Sequence, residues 1–162
     1  MKVVCLSFFF LVFIGCSSSP LTLTPTQYSY SGKERTRQVD PANLPLAPTI
    51  SIREVQPSFW GRKALIEVQG WYSSSGLQAR RLSRIEMTQE IEGNQLTLTY
   101  YVAPKGGVGK EGNLIYGYNY RQTTHLKIPA EVQQLHVKLI EQTATQQEIL
   151  SFKSIIPLTD IK

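Results

Sequence analysis

From residue 49 onward the chain repeats one pattern, in which short runs rich in β-branched and aromatic residues end at glycine, proline, asparagine or serine. No stretch has the spacing of apolar residues that an amphipathic helix requires. A pattern of this kind restricts the chain to strands joined by turns. The predicted strands cover residues 49–55, 64–72, 82–92, 95–103, 118–128, 133–142 and 147–156.

One predicted hairpin turns at residues 92–95, where Gly93 and Asn94 both tolerate positive φ. Folding the chain there brings apolar residues together on one face and places glutamate and threonine residues on the other. The apolar pairs are Ile85 with Val102, Met87 with Tyr100 and Ile91 with Leu96. This alternation is typical of an antiparallel pair with one buried face.

A second hairpin is predicted around residues 129–132, and it places His125 directly opposite His136. Opposed Cβ atoms in such a pair lie about 5 Å apart, so two histidines there can share a metal ion or sense pH. The alternative is that both are solvated positions on a polar strand face. The neighbouring Lys127 and Lys138 favour this alternative, and we expect no metal site.

Seven strands with regular turn signals predict an Ig-like antiparallel β-sandwich over residues 49–162, an all-β fold. Residues 16–48 contain serine, threonine and five prolines without clear periodicity, which predicts an extended spacer. The alternative for this segment is that Tyr28 and Tyr30 dock on the domain as an irregular edge strand.

The first 15 residues have the organisation of a secretory signal peptide. Lys2 is followed by an apolar run over residues 3–14, interrupted by Ser7, and then by the small residue Gly15. A membrane-spanning helix needs about 20 apolar residues, and this run is shorter. We therefore expect residues 1–15 to be removed.

The end of this segment, Phe13-Ile14-Gly15-Cys16, resembles the lipobox of bacterial lipoproteins. The resemblance implies that Cys16 becomes the first residue of the mature chain and carries a diacylglyceryl thioether and an amide-linked acyl chain. Several acyl chains are enough for stable anchoring. Ser17, where an aspartate tends to retain such proteins at the inner membrane, implies an outer-membrane lipoprotein. We expect its domain to face the periplasm, the alternative being the cell surface. The alternative is an ordinary secreted protein with an incidental cysteine.

Charge gives a weak indication of partners. Without residues 1–15 the chain keeps 16 of its 17 basic residues and all 12 acidic ones, which leaves a net charge of +4. Mild positive charge favours encounter with acidic envelope polymers. Export and the absence of a nucleic-acid motif exclude nucleic acid as a partner. We expect an envelope protein or polysaccharide instead.

Two clusters are candidate partner-binding sites. One is a set of alternating tyrosines, which form either an aromatic strip for a partner or part of the core. Its members are Tyr116, Tyr118 and Tyr120. The other is the densest basic patch, which either steers the domain toward anionic surfaces or protects a sheet edge from aggregation. Its members are Arg80, Arg81 and Arg84.

The two tryptophans have different predicted roles. Trp71 ends a predicted strand and is expected in the core of the sandwich. Trp60 lies in a turn beside Pro57 and Gly61, where it is either a capping residue or an exposed anchor.

No motif indicates catalysis. Residues 107–112 have the Gly-x-Gly-x-x-Gly spacing of a dinucleotide loop, but no helix pattern follows, so we predict a long loop over 104–117. The mature chain lacks a nucleophilic cysteine and a Gly-x-Ser-x-Gly elbow. We predict a non-catalytic binding or structural module without a cofactor. The alternative is an inhibitor that inserts the 104–117 loop into an envelope-directed hydrolase such as a lysozyme.

Overall fold

The computed structural model describes residues 16–31, 36–39, 44–73, 82, 85–103, 115–142 and 147–158. These residues form ten β-strands in two sheets, which confirms the predicted all-β sandwich. The strands are β1 (Cys16–Ser18), β2 (Thr22–Ser31), β3 (Thr36–Val39), β4 (Thr49–Ser58), β5 (Gly61–Ser73), β6 (Glu86–Glu92), β7 (Gln95–Val102), β8 (Ile115–Pro129), β9 (Gln134–Gln142) and β10 (Glu148–Pro157). No helix in the described part of the chain could cross a membrane.

The first sheet has the order β3-β2-β8-β5-β4, and its pairs are antiparallel. Strand β5 pairs with one edge of β8 over most of its length, so β1 and β2 share the opposite edge. The second sheet has the order β10-β9-β7-β6. In it β7 and β9 run parallel, because the chain passes through β8 of the first sheet between them.

The predicted hairpin at residues 92–95 is confirmed with its register. Met87 pairs with Tyr100 and Ile91 with Leu96. Gly93 has a φ of 59°, the left-handed conformation that the two-residue turn requires. The buried residues of β7 alternate strictly along the strand, as an antiparallel pair with one buried face demands.

The predicted hairpin between β8 and β9 is wrong. Strand β8 pairs in the first sheet with β1, β2 and β5, whereas β9 pairs in the second sheet with β7 and β10. The connection over residues 130–133 therefore passes from one sheet to the other. Both strands bury one face against the interior, and this alternation is the same whether two strands pair or face each other.

The amino-terminal part differs from the extended spacer predicted over residues 16–48. Strands β1 and β2 form an interrupted edge along β8, and β3 pairs with β2. A register shift at residues 26–27 follows Pro25, which has no backbone N–H to donate to a ladder. The described sheet therefore begins at Cys16, before the predicted domain boundary at residue 49.

The core lies between the two sheets and contains side chains from both. Even-numbered residues of β5 and β8 face the even-numbered residues of β7 and the odd-numbered residues of β9. The largest fully buried side chains are Tyr100, Tyr120, Ile66, Leu96, Leu98, Leu126, Ile128, Leu135, Leu139, Leu158, Val68 and Val102. The fold is thus stabilised mainly by apolar burial.

The two ends of the sandwich differ. We call the end that carries the β4–β5 turn, the β6–β7 turn and the β8–β9 connection the turn end. The opposite end, where β5, β7 and β9 finish, is the loop end. At the turn end the backbone N–H of Gln133 donates to the Asn94 carbonyl (2.8 Å), and Arg62 donates to the Val132 carbonyl (3.0 Å). These bonds join the three turns to one another.

Candidate functional site

Cys16 occupies the first position of β1, and its Cα lies opposite Leu126 of β8. The same row of the sheet continues through Ala64 of β5 to Val55 of β4. Because β1 runs antiparallel to β8, which runs toward the turn end, the backbone nitrogen of Cys16 faces the turn end. Cys16 is exposed, so its sulfur is accessible to modification.

Open space borders Cys16 on two sides. A depression of about 450 Å³ separates it from Lys63 and Lys127 on the outer face of the first sheet. A groove of about 1010 Å³ leads the other way, toward Ile85 and Met87 of the second sheet. Cys16 therefore has open space on both sides of the strand edge.

Gln122 holds this edge of the sandwich together. Its side chain is buried, donates to the Ser19 carbonyl (2.9 Å) and accepts from the backbone N–H of Ile85 (3.0 Å). Ser19 is bound again through Thr123, whose N–H donates to the serine hydroxyl (3.0 Å). The segment that follows Cys16 is thus attached to both sheets.

The thiol of Cys16 is mostly protonated at neutral pH. Partial burial raises its pKa above the ordinary value of 9.0, against the opposing effect of a hydrogen bond with Ser18. A thiol with a raised pKa is mostly protonated at neutral pH, and the thiolate is the reactive form.

An exposed aromatic pair, Phe59 and Trp60, forms the turn between β4 and β5. The side chains are 90% and 84% exposed, and their rings meet edge to face with centroids 4.9 Å apart. For Trp60 the sequence left a capping residue and an exposed anchor open, and the structure places it as an exposed side chain. Phe59 was not identified as a site residue, although two large apolar residues between Ser58 and Gly61 are an unusual composition for a two-residue turn.

The predicted tyrosine strip is not an exposed surface. Tyr118 and Tyr120 are 5% and 0% exposed and belong to the core. The hydroxyl of Tyr120 donates to Glu141 Oε1 at 2.5 Å, which attaches the first sheet to the second near the loop end. The side chain of Tyr116 lies outside the described residues.

The two histidines do not form a pair. His125 is opposite Leu65 and Ser17 in the first sheet, whereas His136 is opposite Thr97 and Ile155 in the second. Both point outward from their own sheets, so the sandwich separates them. Among the described residues, no group of three or more His, Cys, Asp or Glu side chains is arranged to hold a metal ion.

Two other sequence candidates cannot be placed. Arg80, Arg81 and Arg84 lie outside the described residues, as do residues 104–114 of the predicted 104–117 loop. The basic patch and the inhibitor hypothesis therefore stay predictions.

Trp71 does not occupy the expected position between the sheets. It lies on the outer face of the first sheet, partly exposed, and its Nε1 donates to Thr26 Oγ1 of β2 at 3.0 Å. Its partner Thr26 is fully buried. The indole therefore helps to fasten β2 across β8 to β5.

Comparison with known proteins finds no match for this chain among protein-family models, curated proteins or solved structures.

Proposed function

We propose that this chain is a lipoprotein, anchored through acyl chains on Cys16 to the outer membrane of a bacterial envelope. Its sandwich is a non-catalytic binding or structural module that faces the periplasm. Its partner is an envelope protein or polysaccharide.

The observation that carries the proposal is the position of Cys16. It is exposed at the start of an edge strand, with open depressions on both sides and its nitrogen toward one end of the sandwich. The groove toward Ile85 and Met87 leaves room for a lipid at this edge of the sandwich. The lipobox-like residues 13–16 supply the chemical reason for attachment at this cysteine.

The test is a comparison of the two cysteines in bacterial cells. The Cys16→Ser variant is expected to lose incorporation of labelled palmitate and to leave the membrane fraction. The Cys5→Ser variant is the matched control, because residue 5 lies in the segment expected to be removed, and it should stay acylated and membrane-bound. Membrane association of Cys16→Ser equal to that of the unaltered chain would exclude the anchor.

The choice of membrane has its own test. The Ser17→Asp variant should move from the outer-membrane to the inner-membrane fraction, while Ser17→Thr should not. Ser17 is exposed on β1, so neither change disturbs the core. Identical fractionation of both variants would argue against the proposed sorting.

A further inference from the structure

We propose that the aromatic tip, defined as Phe59 and Trp60, inserts into the interfacial layer of the same phospholipid bilayer that holds the lipid on Cys16. This inference rests on the proposed function for the presence of the lipid and adds a second membrane contact. The turn end of the domain then contacts the membrane directly, and the domain is not held away from it by an extended spacer.

The first argument is the exposure of the tip. Two adjacent aromatic side chains, 90% and 84% exposed, present their apolar surface to water at the most protruding point of the hairpin. Tryptophan is enriched at membrane interfaces, where its ring contacts the acyl boundary and its N–H stays hydrated. The chemistry of these two side chains therefore matches the environment of a bilayer interface.

The second argument is that the tip is held in place. Gly61, which follows it, has a φ of 134°, and a Cβ there would lie 2.2 Å from the Ile128 carbonyl oxygen. The base of the hairpin thus packs directly on the end of β8. A rigid base means that the aromatic rings contact a partner at little conformational cost.

The third argument is the position of the tip relative to Cys16. Cys16 and Ala64 lie in one row, two strand spacings or about 10 Å apart. Trp60 lies four residues beyond Ala64 toward the turn end, which adds about 14 Å along the strand. The tip therefore protrudes in the direction that the Cys16 nitrogen faces, and acyl chains on Cys16 enter a bilayer that the tip already reaches.

Charge on the same face agrees with a phospholipid surface. Lys63 and Lys127 are directly opposed in the register, are both exposed, and line the depression beside Cys16. Lysines close to a membrane surface attract anionic headgroups. Two exposed carboxylates, Glu92 and Glu131, also lie at the turn end, beside the β6–β7 turn and in the β8–β9 connection, so the lysines act on the Cys16 side of this end.

The experiment uses the lipidated protein in vesicles of phosphatidylethanolamine and phosphatidylglycerol with brominated acyl chains, which quench nearby tryptophan. The chain has two tryptophans, so Trp60→Ser leaves Trp71 as the internal control. We expect brominated lipid to quench the unaltered protein, with a blue-shifted emission, and to leave the emission of Trp60→Ser unchanged. Circular dichroism of each variant checks that the sandwich is folded.

A second arm removes the lipid. The Cys16→Ser protein is titrated with the same vesicles, and Phe59→Ser/Trp60→Ser is expected to weaken its partitioning on the order of tenfold. Leu150→Ser is the matched control, because Leu150 is 55% exposed but lies on β10 toward the loop end. It should partition like its parent.

The two arms separate failure of the tip from failure of the anchor. Unquenched Trp60 in a protein whose mass shows the attached lipid would overturn the tip inference, leave the anchor standing and point to a protein partner for the tip. A mass without lipid would overturn the anchor. In that case equal partitioning of Cys16→Ser with and without its tip aromatics would overturn the tip inference as well.

Discussion

At the scale of single residues, Gly70 is a position where a side chain would collide with the core. A Cβ there would lie 2.2 Å from the hydroxyl oxygen and 2.5 Å from Cζ of Tyr120. Tyr120 cannot move away easily, because it is fully buried and its hydroxyl is bound to Glu141. The absence of a side chain at residue 70 is therefore what allows the Tyr120 ring to cross β5 and reach the second sheet.

We predict that Gly70→Ala lowers the free energy of unfolding by about 1–3 kcal/mol, the usual cost of overpacking a core. The measurement is urea denaturation. Gly93→Asn is the control, because a Cβ there meets nothing within 4 Å and asparagine tolerates its φ of 59°. Gly70→Ala should cost less in a Tyr120→Ala background, and an equal cost in both backgrounds would show that the ring is not the obstacle.

At the scale of elements, β1 and β2 attach the amino-terminal segment to the edge of the first sheet. The segment around them reads Leu21-Thr22-Leu23-Thr24, in which leucines are half-buried and threonines exposed. This alternation is a strand signal, but the surrounding prolines obscured it. Proline cannot donate a backbone hydrogen bond, and the edge accommodates it with a break between β1 and β2 and a register shift after Pro25.

Hydrogen exchange tests the pairing of this edge. Amide protons of β2 that bond to β8 should exchange far more slowly than those of the exposed turn at residues 93–94. The Gln122→Ala variant removes the bonds to Ser19 and Ile85. It should speed exchange over residues 18–24 by about tenfold, because a lost buried hydrogen bond costs on the order of 1–2 kcal/mol.

The control for that experiment is Gln69→Ala. Gln69 is on the outer face of the same sheet, where it accepts a bond from Arg121 (3.2 Å), and β8 lies between it and both β1 and β2. Exchange over residues 18–24 should stay slow in this variant. Fast exchange of the same segment in the unaltered protein would mean that it is a free spacer in solution.

At the scale of the whole molecule, buried tyrosines lower the free energy of unfolding as the pH becomes alkaline. Burial is the main cause that raises the pKa of Tyr72, Tyr100 and Tyr120 above the ordinary 10.0, and the negative charge of Glu141 adds to it for Tyr72 and Tyr120. Below that value both the folded and the unfolded chain keep the protons, so this contribution to stability is fully present. Above it only the unfolded chain releases them, and stability falls as pH rises.

We predict a decrease in the free energy of unfolding of about 1.4 kcal/mol per pH unit for each tyrosine that stays protonated in the fold. Denaturation at a series of alkaline pH values measures the slope. Tyr120→Phe should be less stable at neutral pH, because it loses the bond to Glu141, but should show a shallower slope. A slope unchanged by this substitution would contradict the assignment of Tyr120.

After residue 49, the sequence by itself determined where the strands lie. All seven strands predicted after residue 49 exist, and the β6–β7 hairpin has the predicted register, because a two-residue turn leaves adjacent strands a single way to pair. The exposed position of Cys16 agrees with the chemistry that its neighbours in the sequence indicate, and its acylation stays a prediction.

Only the tertiary structure decided which strands share a sheet. A strand with one buried face shows the same alternation whether its sequence neighbour pairs with it or lies across the core, so the histidine pair could not be rejected from the sequence. For the same reason the alternating tyrosines could not be assigned to the core or the surface. The placement of the Phe59–Trp60 turn at the same end as the Cys16 nitrogen also depends on pairings between residues far apart in the chain, which local patterns do not encode.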